Sequence, residues 1–427
     1  MQTYAQVLLY AIPFFVLLIA AEHIVSVFKG VKINRWFDVI SSLSSGISNI
    51  VKDILGLSIV IISYGYMVDH WAVTRIEQSW LVYVLAFLGI DFAGYWTHRF
   101  SHEINLFWNR HIIHHSSEEF NLSCALRQSV SEIFALFTIL YLPLALLGVP
   151  QEVIATIAPL HLFAQFWYHT RLINKMGWLE HIIVTPSHHR VHHAINPEYM
   201  DKNYGQIFIF WDKWFGTFQE EKQEIPPVYG VTRAVKTWNP WLINFKHLWL
   251  LVLDFFRTKS WYDKIRIWFM PTGWRPEDVK DKYPVTYTKD IYHRTKYETE
   301  ASLFFKSWSG FQLIMTLVFT LYFFMVIGDL SNTDIFLYGF FIFIQIFSYT
   351  SLMDGSWLGP GAESIKITYI ASVLYPKGFD WFGITSYHYA LNIFILLYFG
   401  VSFLMSLYFY FYDKPSIISE QNHTANA

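Results

Sequence analysis

Residues 81–117 read LVYVLAFLGIDFAGYWTHRFSHEINLFWNRHIIHHSS. Up to Trp96 this is the body of a membrane helix, almost free of charge and rich in large apolar side chains. From residue 98 it becomes a histidine cluster: His98, His102, His111, His114 and His115. Hydrocarbon solvates imidazole poorly, so histidines gathered at the mouth of a span call for a functional reason.

The rest of the chain has the composition of a polytopic membrane protein. Of 427 residues, 54% are hydrophobic, 20% aromatic and only 15% charged, and the mean hydropathy is +0.29. Average proteins carry roughly 25% charged residues. A net charge of −2 offers nothing to a nucleic acid. The single cysteine, Cys124, excludes an intrachain disulfide and supports no cysteine-built metal site. The opening run MQTYAQVLLYAIPFFVLLIAAEHIVSVF lacks a basic n-region and a small-residue cleavage site, so it reads as a retained first span.

Apolar stretches predict spans at 6–27, 46–68, 80–97, 130–148, 151–169, 303–327, 335–353, 364–376 and 389–411, the eighth of them short. The predicted fold class is all-α, a polytopic integral membrane protein of eight or nine transmembrane helices with a cytosolic histidine-rich helical cap. Along the chain this gives N-terminal spans (1–79), a histidine-box core (80–235), an interfacial amphipathic segment (236–300), C-terminal spans (301–412) and a disordered tail (413–427). Residues 171–300 hold 19 of the 31 Lys and Arg, interleaved with Trp and Phe, the signature of a membrane interface. Within them LWLLVLDFF is too short to span and predicts an interfacial or re-entrant helix over the site. The loop KGVKINRW shares this basic character, whereas the opposite loop GDLSNTD has no Lys or Arg. The histidine face is therefore assigned to the cytosolic side, of a bacterial inner membrane or an endoplasmic reticulum.

Twelve of the eighteen histidines fall between 98 and 193. His98 and His102 are four apart, on one helical face. His111, His114 and His115 follow at i, i+3 and i+4. In TPSHHRVHHAINP, Thr185 is the predicted N-cap and Pro186 the first helical residue. Inside that helix His189, His192 and His193 repeat the spacing, and His188 pairs with His192. His169 stands alone in QFWYHT. Imidazole is a good ligand for iron, zinc, copper and nickel, and so many clustered ligands suit two ions rather than one. A zinc-protease HExxH is absent, as is a haem-attaching CxxCH. A nearly all-imidazole site at a membrane surface points to iron and oxygen chemistry on a lipid chain, although spacing alone leaves zinc open.

The strings THRFSHEINLFWNRHIIHHSSEEFNLSCALRQSV, QFWYHTRLINKMGWLEHIIVTPSHHRVHHAINPEYMDKNYGQIFIFWDKWFGTFQEE and VYGVTRAVKTWNPW resemble the fatty acid hydroxylase/sterol desaturase superfamily, and within it the alkylglycerol monooxygenase branch. The resemblance covers about residues 80–235. It implies that His98, His102, His111, His114, His115, His169, His189, His192 and His193 ligate two ferrous ions. His188 fits the same box as a ligand or a neighbour of one. Where the superfamily often has a histidine four residues before His169, this chain has Gln165, with Asn203 as the candidate to fill the gap. Glu103 matches an acidic position of the branch and is a candidate contact for the reductant. Asp91, on the His98 face of its span, is a candidate partner for a ligand imidazole.

The implied activity is O2-dependent hydroxylation of a membrane lipid, at the carbon next to the ether oxygen of an alkylglycerol, with collapse to an aldehyde. It needs an external electron donor, which the branch implies is a tetrahydropterin. The alternatives are a fatty acid, sterol or carotenoid hydroxylase or desaturase of the same superfamily and, more remotely, a metal transporter, which would place its ionisable residues nearer the bilayer midplane.

Overall fold

The structure, a computed structural model, describes residues 2–132 and 134–418. It is mostly helical. Among the described residues, five helices are long and apolar enough to cross a membrane, in the ranges Ala5–Phe28, Trp80–Glu103, Leu303–Val326, Asn332–Met353 and Tyr389–Phe411. The first belongs to α1 (Gln2–Phe28), which is followed by α2 (Trp36–Ile54) and α3 (Trp80–Glu103).

Eight or nine spans were predicted, and the difference has local causes. The run expected at 46–68 breaks after α2, which carries Asp38, Lys52 and five buried serines and is enclosed by protein. The run at 130–148 holds only a short helical stretch, 136–146, which is too short to span. Beyond α4 (Asn105–His115), the run at 151–169 stops early, as α5 (Gln151–Phe163). Here Gln165 donates its side-chain amide to the His161 carbonyl, the acceptor that the next helical N–H would have used, and its own N–H turns to Leu162 instead. His169 therefore sits in a turn, not in a helix.

Between α5 and the C-terminal spans lie α6 (Pro186–His192) and α7 (Pro240–Arg257). Thr185 and Pro186 start α6 as the sequence predicts, and the His188 ring accepts from the Thr185 N–H at 3.4 Å. The predicted interfacial stretch is the end of α7, which packs across α4.

The C-terminal helices are α8 (Leu303–Val326), α9 (Asn332–Met353), α10 (Leu358–Leu374) and α11 (Tyr389–Phe411). They share an apolar core with α1 and α2, built around Phe319, Tyr338, Trp381 and Phe399. The predicted tail falls partly on residues 419–427, outside the described residues. Ser416–Ile417 is not disordered: it pairs antiparallel with Thr299–Glu300, tying the end of α11 to the start of α8.

Candidate metal centre

Four pieces of chain deliver histidines to one place. The end of α3 supplies His98 and His102, α4 supplies His111, His114 and His115, and the turn after α5 supplies His169. His189 and His192 come from α6, and His193 directly follows it. Their ring nitrogens converge in two groups: His98, His102, His111, His115 and His192 in one, and His114, His169, His189 and His193 in the other. Helical spacing makes the division. His111 and His115, four apart, join the first group while His114 turns to the second. His189 and His193 join the second while His192 turns to the first. Both helices thus straddle both groups, and the groups adjoin, with the His115 and His193 rings stacked at 4.3 Å.

In the first group, His98 Nε2 lies 2.9 Å from His111 Nε2, and His115 Nε2 lies 3.1 Å from His102 and His111 and 3.0 Å from His192. In the second, His169 Nε2 lies 2.8 Å from His189 and 3.3 Å from His114, and His193 lies 3.0 Å from His189. The outer nitrogens fix the tautomers. His98 Nδ1 donates to the Tyr204 carbonyl at 2.8 Å, His192 Nδ1 to Lys202 at 3.0 Å, and His169 Nδ1 to Gln165 at 3.0 Å. The Nε2 atoms of these three rings therefore carry lone pairs, aimed at other imidazoles at hydrogen-bond distance. Each ring has one proton at most to share while neutral, so where three rings meet at His115 Nε2 a cation among the nitrogens satisfies the lone pairs that hydrogen bonds alone leave unmatched. With metal–nitrogen bonds of about 2.1 Å, neighbouring ligands of one ion stand about 3 Å apart, the spacing seen here. The donor set fits a metal in each group.

Burial keeps these rings in the ligand form. It pushes His169 down to about 3 and holds His111, His114, His115, His189, His192 and His193 well below the ordinary histidine value, with neighbouring imidazoles adding to the effect at the latter six. A neutral imidazole binds a metal without first releasing a proton.

The other candidates lie around this centre. Asp91 is fully buried, but its partner is His161, whose Nε2 lies 2.7 Å from Oδ1, and not a histidine of either group. It also accepts from the N–H of Ile207 and Phe208 and from Trp211 Nε1, so it fastens the 207–211 segment to α3. Gln165 faces His161 and Gln206. Asn203 spends its amide on the His188 and Gln219 carbonyls and the Gln219 N–H, so it does not fill the place Gln165 leaves. His188 caps α6 and packs on Phe218. Glu103 pairs with Arg99 at 2.9 Å and is half exposed.

Three further polar side chains, each of a kind that could meet a headgroup or cofactor, are spent in the fold. Arg127 is buried against Asp38 at 2.8 Å, Asp354 receives Thr237, Trp238 and Tyr297, and His388 caps α11. Spacing could not reveal the buried Tyr204, whose ring packs against His98, His102 and His192, because its signal is only a tyrosine in DKNYGQ. A cavity of about 270 Å³ reaches the first group at His102, His115 and His192.

A Fatty acid hydroxylase family model matches residues 83–217, the segment that carries all nine converging histidines. Alkylglycerol monooxygenase of Homo sapiens is 36% identical over 351 residues, covering 81% of this chain and 77% of the human one. The Danio rerio protein of that name is 40% identical over 272 residues, 62% of this chain and 59% of its own. Ornithine lipid hydroxylase OlsE of Rhizobium tropici is 29% identical over 152 residues, 36% of this chain and 46% of its own. No solved structure matches. The five membrane-length helices and the membership of the histidine boxes in this group make the chain an integral membrane oxidoreductase, and it belongs to the alkylglycerol monooxygenase family.

Proposed function

We propose that the chain is a di-iron lipid monooxygenase acting on alkylglycerols at the carbon next to the ether oxygen. The observation that carries this is the pair of adjoining imidazole groups with ring nitrogens 2.8–3.3 Å apart, in a chain whose relatives are alkylglycerol monooxygenases. His98, His102, His111, His115 and His192 would hold one iron, and His114, His169, His189 and His193 the other. Bound iron would supply the reduction of O2 and the oxidation of the C–H bond. The net reaction puts one oxygen atom on the lipid and the other into water, with two electrons from an external donor, a tetrahydropterin. Hydroxylation beside the ether oxygen gives a hemiacetal, which collapses to an aldehyde and glycerol.

The chain's own part is positioning. The carbonyls of Gln165, Lys202 and Tyr204 aim the rings. Phe120 and Tyr168, stacked on His169, shield the second group from water. The cavity gives a substrate access to the first. The site faces the cytosol, where a soluble reductant reaches it.

Two measurements test this. Anaerobic Fe(II) loading of detergent-purified protein should give about two irons per chain, and His192→Ala should lower that number. Incubation with an alkylglycerol, O2 and a tetrahydropterin should release fatty aldehyde. One iron or none would sink the dimetal assignment. A hydroxylated or desaturated acyl chain or sterol, without aldehyde from the ether, would move the chain to the alternative substrates of the superfamily.

A further inference from the structure

The cavity beside His102, His115 and His192 has a character that metal binding does not explain. Its inner wall is apolar and aromatic, with Trp108, Ile112 and Trp274, and its rim carries the exposed Asp201 and Tyr287. It thus leads from the surface of the cap to the first histidine group. Two guanidinium groups reach it, Arg233 and Arg275. Arg275 is spent: it pairs with Asp254 at 2.5 and 2.9 Å and donates to the Tyr283 carbonyl. Arg233 is not. It donates to the Lys246 carbonyl at 3.1 Å and has no carboxylate partner among the described residues.

The neighbourhood sharpens this imbalance. The Lys246 ammonium is held by the Val235 and Ala234 carbonyls, and among the described residues no carboxylate forms a salt bridge with it, Asp354 acting on it from farther away. Burial first, then Arg233 and Lys236, push that amine down to about 8. Lys246 stands behind the cavity wall rather than on it, so Arg233 is the lining cation that no carboxylate pairs among the described residues. A half-buried guanidinium with free N–H groups is matched by an oxyanion, which accepts two of them at once. At about 270 Å³ the cavity suits a small polar head and the first carbons of a chain, not a whole long-chain lipid.

From this geometry we propose that the cavity seats the polar head of the substrate, and that Arg233 makes it select a head bearing an anionic group, a phosphate or carboxylate on the glycerol. This rests on the proposed function in one respect, that the lipid is oxidised at the first histidine group. Arg233 is then a specificity-determining residue.

The test is binding without turnover. Full-length protein in nanodiscs of neutral lipid, free of reductant and O2, is titrated calorimetrically with 1-O-octylglycerol, with its 3-phosphate and with inorganic phosphate. The phosphate-bearing ether should bind about tenfold tighter than octylglycerol, and inorganic phosphate far more weakly than either. R233Q should lose that tenfold preference and keep its affinity for octylglycerol, which also shows that the variant is folded. R233K should keep part of the preference. Lys175→Gln, at an exposed ion pair with Glu220, should change nothing. Equal affinities in the unaltered protein, a preference that survives R233Q, or inorganic phosphate binding as tightly as the ether phosphate would each overturn the proposal. Absence of aldehyde with the binding pattern intact would overturn the proposed function instead.

Discussion

At the scale of the residue, what a side chain does here depends on which atom faces which neighbour. Eight of the nine converging histidines were legible from their i, i+3 and i+4 spacing, which sets each cluster on one side of its helix, whereas His169, alone in a turn, was indicated only by the family resemblance. The division of the nine between two groups was not legible, because it depends on how α4 and α6 are rotated against each other. Nor was the partner of Asp91. Its place on the His98 face pointed to a ligand ring, but α5 brings His161 to it first. Asp91→Ala would leave His161, Trp211 and two backbone N–H groups without their buried acceptor. The cost should be several kcal/mol, about 3–5, seen as a large fall in the thermal midpoint of the detergent-solubilised protein, with Asp91→Asn falling less. An Asp91→Ala variant as stable as the parent would show that the carboxylate is not a fastening.

The same burial predicts a pH dependence. His169 is pushed down to about 3, and His188 and His247 to about 4, chiefly by burial. In the unfolded chain each would titrate near 6.5. Between those values the unfolded state binds more protons than the folded one, so folding stability rises with pH. The contribution is fully present above about 6.5 and is lost as pH falls toward 3–4, at about 1.4 kcal/mol per pH unit for each such ring. Chelator-treated protein should therefore melt at progressively lower temperature from pH 7 to pH 5. A flat profile would mean that the rings are hydrated in the metal-free protein.

At the scale of the element, the long helices were legible and the interrupted ones were not. Apolar length alone located α1, α3, α8, α9 and α11. It failed for α5, where one glutamine side chain takes a carbonyl from the helix, and for α2, whose Ser42 and Asp38 are answered by Arg127 from a distant turn. The helix α10 shows the same limit. It carries a fully buried pair, Lys366 and Glu363 at 2.6 Å, with Gln345, Ser402 and Ser348 supplying further partners from α9 and α11. A buried pair of this kind adds little net stability while it is intact, but breaking it is expensive. Lys366→Met alone should cost about 3–5 kcal/mol by stranding the Glu363 carboxylate. Adding Glu363→Gln should recover much of that loss. The check is the thermal midpoint of the two variants side by side. A double variant no better than the single would mean that Lys366 is needed for its contacts with Gln345 and Ser402, not for its charge.

At the scale of the whole molecule, the remaining question is which way the centre faces. The histidine cap and the segment after it carry most of the chain's Lys and Arg, 19 of 31 within 171–300. The turn between α8 and α9 carries Asp329 and no Lys or Arg, and Asp334 follows in the first turn of α9, where Lys377 pairs with it. Basic segments are retained on the cytosolic side during insertion, so the cap should lie there and the α8–α9 turn on the other side. The one native thiol, Cys124, is buried and unreactive toward a large reagent, so an introduced cysteine reports alone. Lys259 on the cap and Asn332 at the start of α9 are both exposed. In intact cells a membrane-impermeant maleimide should label N332C and leave K259C untouched until the membrane is permeabilised. The reverse pattern would place the histidines outside and remove access for a soluble cytosolic reductant. Labelling of both in intact cells would mean that the α8–α11 bundle does not cross as its helix lengths imply, and that the shared core with α1 and α2 lies to one side of the bilayer.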